Sequence, residues 1–209
     1  MLNQLLQKRR SVRNYLPHEP PKEWLEDLIR CGQTAPSPSN SQPVRIRQIL
    51  SQDTRRELQA AIVHQKERLL EAITVQNGSK RIRNTIKVYY RYSAFMFTAP
   101  WLLLIGTVPT APGFYDHLAA AGLRPEKKIV STDEDMTVGL FVSAMLLRAT
   151  ELGLGSCILT APLVFLSPDN TLLAFKNLRP KCFITLGYTA KAPLSPTPRL
   201  DVKKIIERC

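Results

Sequence analysis

Short apolar runs and longer segments with apolar residues every three or four positions alternate along this chain. Residues 101–107 (WLLLIGT) form a continuous apolar run and read as a central strand. Residues 156–161 (SCILTA) and 182–188 (CFITLGY) read as two more central strands. Residues 44–50 (VRIRQIL) alternate at first, as a half-buried strand does. Helical spacing predicts a short helix over the first ten residues, carrying Leu2, Leu5 and Leu6. A second covers 22–34, where Pro21 suits the first turn and Trp24, Leu25, Leu28 and Ile29 make an apolar stripe. Two more helices are expected over 53–75 (Leu58, Ala61, Ile62, Leu69, Ile73) and 80–97 (Ile82, Ile86, Tyr89, Tyr90, Ser93). Residues 134–151 give the clearest helix, with Met136, Leu140, Ala144, Leu147 and Glu151 on one face and Gly153 as its stop. A further short helix is expected near residues 169–176.

Between these elements lie RRSVRNYLPHEPP, a polar connector, and APSPSNSQP (35–43), a loop whose prolines prevent regular hydrogen bonding. A proline-rich tail follows from Thr189 to Pro198, and the amphipathic VKKIIER lies near the end. About four strands and six helices, with no internal repeat and no second boundary, predict one α+β domain over 1–209 with a helix-covered sheet.

At 209 residues and 44% hydrophobic, the chain can bury a full core. It has no 18-residue apolar run, so no membrane span is expected. MLNQLLQKRRS is too polar for a secretory signal, and a cytoplasmic protein is the expectation. Cys31, Cys157, Cys182 and Cys209 form no C-x-x-C pair, and His18, His64 and His117 are scattered. No metal site is expected, and Cys157 and Cys182 read as buried small hydrophobes. The net charge of +12, from 29 basic and 17 acidic residues, favours anionic partners without choosing among them.

GLGS (153–156) fails the dinucleotide fingerprint, because its sixth position is Ile158 and a helix precedes it where a strand is required. No phosphate-binding G-x-x-x-x-G-K-[ST], G-x-S-x-G or H-E-x-x-H is present. An enzyme on this chain would therefore borrow its chemistry from a cofactor. Arg9, Arg10, Ser11 and Arg13 place three guanidiniums and a hydroxyl within five residues, a set suited to phosphate oxygens.

Taken in order, these segments resemble the nitroreductase family of FMN enzymes nearly end to end. RRSVRNY looks like its opening R-R-S-x-R signature, and APSPSNSQP is similar to its A-P-S-x-x-N-x-Q-P loop. The helix running into GLGSCIL, the strand ITLGY and the late Arg199 also match in order. The resemblance implies a mixed, mainly antiparallel sheet flanked by helices and an intertwined homodimer, with residues 189–209 as an embracing tail. It implies that Arg9, Arg10, Ser11, Arg13 and Arg199 bind the FMN phosphate and ribityl chain. Pro36, Ser37, Pro38 and Asn40 would come from the other subunit, and Ile158, Leu159 and Thr160 would lie along the ring. Two positions depart from the family: Val44 stands where an aromatic is frequent, and Ala144 where an Asn is frequent. The residue meeting the flavin pyrimidine edge could be Asn84, Lys87 or Arg91.

The implied activity transfers hydride or electrons from NADH or NADPH to a small electron-poor acceptor such as a nitroaromatic, quinone or activated alkene. The reaction would run in alternating half-reactions, with the flavin carrying the chemistry and no catalytic side chain required. One rival is a specialised flavin reaction on the same fold, reductive dehalogenation or flavin breakdown. The other is a basic nucleic-acid-binding protein. It is disfavoured because the only arginine cluster lies inside the cofactor-like signature and no RNA-stacking motif is present. Neither nucleic acid nor membrane is an expected partner.

Overall fold

Two of the apolar runs become the inner strands of a four-stranded sheet. The computed structural model describes residues 2–76, 79–123, 128–166, 177–191 and 198–206, apart from the side chains of residues 115 and 128–132. Its strands are β1 (Val44–Gln48), β2 (Trp101–Thr107), β3 (Gly155–Leu159) and β4 (Arg179–Gly187). They stand in the order β1-β2-β4-β3, every neighbouring pair antiparallel. The helices are α1 (Leu2–Lys8), α2 (Lys22–Gln33), α3 (Gln52–Val75), α4 (Lys80–Ser93), α5 (Phe114–Ala120) and α6 (Lys128–Glu151).

The two-residue period of the strands divides the core between two faces. Trp101, Leu103 and Ile105 of β2, with Cys182, Ile184 and Leu186 of β4, pack on Leu28 of α2 and on Val138, Phe141, Val142, Met145 and Leu146 of α6. Leu102, Leu104, Phe183, Cys157 and Leu159 point the other way, onto Leu58 and Ile62 of α3 and onto Met96 and Phe165. Helices therefore cover both faces, which is why the runs of β2 and β4 are apolar throughout and not alternating.

Several expectations need correction. SCILT is not a central strand: β3 stands at the end of the described sheet, beside β4 alone. The helix expected over 80–97 stops at Ser93, and residues 94–98 form a 3-10 turn. Pro100 follows that turn, and the residue before a proline is steered out of helical geometry. α6 starts six residues earlier than its apolar periodicity shows. The leucines of α1 bury nothing fully. The helix expected near 169–176 lies outside the described residues, as do residues 192–197 and 207–209 of the tail.

Two polar clusters tie the helices to the sheet. Arg55 of α3, only 6% exposed, donates to four main-chain carbonyls. Its Nε reaches Ile49 O at 3.2 Å, Nη1 reaches Phe97 O at 3.2 Å and Ala99 O at 2.5 Å, and Nη2 reaches Pro100 O at 2.9 Å. On α6, Glu134 accepts from Thr107 Oγ1 at 3.0 Å and pairs with Arg179 at 2.6 Å and Lys181 at 3.0 Å. Burial works against the Glu134 charge, but hydrogen bonds from Lys181 and Thr107 and the charges of Lys181 and Arg179 outweigh it and hold the carboxyl below its ordinary 4.5. A depressed carboxyl stabilises the fold above its unfolded value and loses that contribution as pH falls through its folded value. Unfolding free energy measured from about pH 6 to about pH 3 should therefore fall more steeply in the parent than in Glu134→Gln, mostly below 4.5. Parallel curves would show that the cluster contributes nothing net.

Candidate functional site

Residues 9–16 leave α1 and run alongside β3. Val12 N donates to Ser156 O at 2.9 Å, and Ser11 and Ser156 form a parallel bridge, the one parallel pairing among the described residues. Further along, Leu16 N donates to Tyr188 O at 2.9 Å and Ala190 N to Asn14 O at 3.1 Å. The approach is close enough to demand glycine: a Cβ on Gly155 would lie 2.8 Å from the Val12 side chain and 2.7 Å from Thr189 Oγ1. Gly153 delivers the chain to that point. Its φ of +78° ends α6 in the left-handed conformation that favours glycine.

Beneath the segment lies a latch. Tyr15 Oη donates to Val12 O at 2.7 Å and shares a 2.8 Å hydrogen bond with Thr185 Oγ1. Burial pushes the Tyr15 phenol well above its ordinary range, so it remains a neutral donor. Cys157 lies close by, its thiol raised by burial against the opposing effects of Arg13, a hydrogen bond with Ser11, and Arg9. Cys182 is pushed up to about 12 by burial alone. Both cysteines are buried, as their apolar runs predict.

The main chain is held in this way without help from an arginine–carboxylate pair. Arg9 and Arg10 are half-buried, Ser11 and Arg13 exposed. None of the three arginines forms an ion pair among the described residues. Arg10 Nη1 donates to Arg9 O at 2.8 Å, but its Nε is buried without a hydrogen-bond partner. A cleft of about 390 Å³ opens here, lined by Lys8, Arg9, Arg10, Val12, Gly155 and Thr189 among others. Donors concentrated without carboxylates, one of them buried and unsatisfied, fit a multiply charged oxyanion such as a phosphate monoester.

On β3 itself, Ile158 is 46% exposed and Thr160, just beyond the strand, is also exposed. Leu159 is 8% exposed and packs into the core on the α3 side, leaving only its main chain for the outer surface. The expected loop lies elsewhere. Pro36, Pro38 and Asn40 are exposed and Ser37 half-buried, on the approach to β1. Ser39, Asn40 and Gln42 all have positive φ (51°, 54° and 46°), a concentration of strain characteristic of functional loops. Ser37 Oγ accepts from Gln42 N at 3.0 Å, and Gln42 Nε2 donates to Asn40 Oδ1 at 3.2 Å.

The loop and the arginines are not brought together within one chain. The loop enters β1 at one edge of the sheet and the arginine segment lines β3 at the other. Three strand spacings separate these edges, roughly 14 Å. A pocket of about 560 Å³ lies beside the loop, bordered by Asn40, Phe114, Asp133, Thr137 and Arg179 among others. Phe114, 68% exposed at the start of α5, is a candidate wall residue that sequence reasoning missed. A Phe-Tyr pair after a Pro-Gly pair offered no periodic signal. Arg199 is exposed and has no hydrogen bond or ion pair among the described residues. Asn84, Lys87 and Arg91 are exposed on α4. Among the described residues no group of His, Cys, Asp and Glu could hold a metal, and no helix is long and apolar enough to cross a membrane.

An antiparallel sheet between helical layers is the architecture that this chain shares with nitroreductase-like flavoproteins. The family model for the nitroreductase family matches residues 6–188, and the chain belongs to that family. A curated relative, an iodotyrosine deiodinase of Thermotoga neapolitana, is 26% identical over 210 residues, covering 100% of this chain and 97% of that protein. Among solved structures, a BluB-like flavoprotein from Clostridium difficile 630 superposes with a TM-score of 0.86 at 21% identity, covering 100% of this chain and 99% of that one. An iodotyrosine deiodinase bound to FMN and 3-iodo-L-tyrosine gives a TM-score of 0.69 at 25% identity, covering 100% and 98%.

Proposed function

We propose that this protein is an FMN-dependent oxidoreductase that works as a homodimer on a small electron-poor acceptor. The observation that carries the reading is the arginine segment: three guanidiniums without carboxylate partners and an orphaned Arg10 Nε, fixed at the edge of β3 beside exposed Ile158 and Thr160. Arg9, Arg10, Ser11 and Arg13 would hold the phosphate and ribityl oxygens, with Arg199 joining them from the tail. Ile158 and Thr160, with the main chain of Leu159, would support the ring. Bound there, FMN supplies two-electron chemistry between NADH or NADPH and the acceptor. The chain's own part is to bind, orient and exclude water, and no acid or base of the protein is assigned.

The two edges support the homodimer reading. Pro36, Ser37, Pro38 and Asn40 cannot reach the arginines of their own chain, whereas a partner's loop could complete the site. Met136 and Leu140, exposed one turn apart on α6, and Val202, Ile205 and Ile206 in the tail are apolar surface that such a partner would cover. One domain with an embracing tail, residues 189–209, suits this arrangement.

The test begins with the flavin released from purified, FMN-reconstituted protein. One FMN per chain is expected, and finding FAD or no flavin would overturn the reading. Mixing Arg9→Ala with Asn40→Ala subunits should then restore part of the activity, because a heterodimer has one site with both defects and one with neither. A reductive dehalogenation is the second reading, favoured by the deiodinase relative that matches the whole chain. Release of iodide from 3-iodotyrosine by the reduced protein would select it over general nitro or quinone reduction.

A further inference from the structure

The most one-sided charge in the described chain lies outside the arginine segment, on α4. Its fourteen residues, KRIRNTIKVYYRYS, contain Lys80, Arg81, Arg83, Lys87 and Arg91 and no acid. All five cations are exposed, and none forms an ion pair. Arg91 has only the Tyr92 ring, 6.0 Å away. Lys80, Arg83, Lys87 and Arg91 recur at helical spacing and make one stripe. Ile82, Tyr89 and Tyr92 are exposed on another side of the same helix. Across the groove from Arg83 and Lys87 stand Glu67 and Glu71 of α3, with Glu67 already paired to Lys66 at 2.7 Å. α3 is itself balanced, four cations against four acids, so the excess of the pair belongs to α4.

This surface is tied to the candidate flavin site. The 3-10 turn Ala161–Phe165 begins at the residue after Thr160, and its Phe165 meets Tyr90 of α4 edge-on at 6.4 Å. Just beyond that same C-terminal end of α4, the turn that continues it places Phe95 6.4 Å from Tyr15, under the arginine segment. A partner seated along α4 and reaching its C-terminal turn, where Arg91 stands, is thus seated at the rim of the cofactor site.

We propose that α4 docks an acidic electron-carrier protein, which supplies electrons to the flavin as a second source beside a nicotinamide. The inference rests on the flavin reading above. Charge complementarity favours a partner with a carboxylate-rich face, and a basic stripe edged by tyrosines is the mixed surface of a transient complex. The exposed part of a helix about 21 Å long matches the small interfaces, below about 1,200 Å² in all, typical of such encounters. Two reduced carriers each lose one electron, and the pair, with protons from water, reduces the bound flavin. A nucleic acid would use the cations equally well, but nothing would then require them beside the flavin site.

The experiment uses the full chain and a purified acidic [2Fe–2S] ferredoxin. Its oxidised form should bind the parent at low salt, with affinity falling by roughly tenfold or more between about 20 mM and about 300 mM NaCl. Lys80→Gln/Arg81→Gln/Arg83→Gln should weaken binding by roughly tenfold at low salt and flatten the salt dependence, with thermal stability and flavin content unchanged. Arg83→Glu, a single exposed change on the stripe, should act in the same direction and guards against misfolding of the triple variant. Pre-reduced ferredoxin should bleach the flavin band of the parent faster than that of the triple variant. Equal affinities and rates, or binding of single-stranded DNA or phosphatidylglycerol vesicles through these residues without ferredoxin binding, would overturn the proposal. The binding arm needs no flavin, so a protein without FMN would sink the functional reading and still leave the docking surface decided by its own measurement.

Discussion

Arg55→Met is expected to lower the unfolding free energy by about 4 kcal/mol, the largest single-residue effect foreseen on stability. The arginine is buried in α3, and its fork satisfies carbonyls at three separate places: the end of β1, the 3-10 turn after α4 and the entry to β2. Methionine keeps much of the stem volume and removes every donor, so several buried oxygens lose their partners at about 1–3 kcal/mol each, less than additively. Burial lowers the Arg55 pKa, with nearby Glu19 acting against that. For a chain of this size the midpoint should drop by roughly 8–16 °C. Lysine should rescue little, because one ammonium cannot span the same three places. Denaturant titration of both variants measures the effect, and a loss under about 1 kcal/mol would mean that the carbonyls find other donors.

The largest expected effect on ligand binding is that of Arg9→Ala/Arg13→Ala on FMN affinity. Each charge-assisted contact is worth about 1.5–3 kcal/mol, so the pair should cost on the order of 10² to 10⁴ in Kd. Thermal stability of the flavin-free protein should barely move, since Val12, Asn14 and Leu16 hold the segment through main-chain hydrogen bonds. Arg199→Ala separates two cases. A loss of tenfold or more would place the tail at the phosphate, and an unchanged affinity would confine the cradle to residues 9–13. Fluorescence titration of apo-protein with FMN gives these values, and parent-like binding by the double variant would remove the arginines from the site.

What the sequence reveals and what it hides follow from the range of the interactions involved. The runs of β2 and β4 were legible because both faces of an inner strand are covered, a property each strand carries in its own residues. β3 has nearly the same composition, although its Ile158 is exposed, and its place at the end of the described sheet depends on strand order, which no local pattern encodes. α4 was drawn too long because Phe95 and Phe97 keep up an apolar rhythm after the helix has tightened into a 3-10 turn. Arg55 was passed over because an arginine among polar neighbours on a helix reads as solvated, and only the fold shows the carbonyls converging on it. The arginine cluster and the loop were both legible as motifs. Their placement at opposite edges of the sheet was not, and that separation underlies the proposal of a site shared between two chains.

The Ser11–Val12 crossing has a consequence for solubility. A strand with unpaired main-chain groups is a template for further strands, and such templates seed aggregation. Here the arginine segment itself lies over part of the outer edge of β3, its Val12 N–H occupying Ser156 O. Loss of residues 2–16 would bare that edge, so an N-terminally clipped chain is expected to self-associate into precipitate before it can be assayed as an inactive monomer.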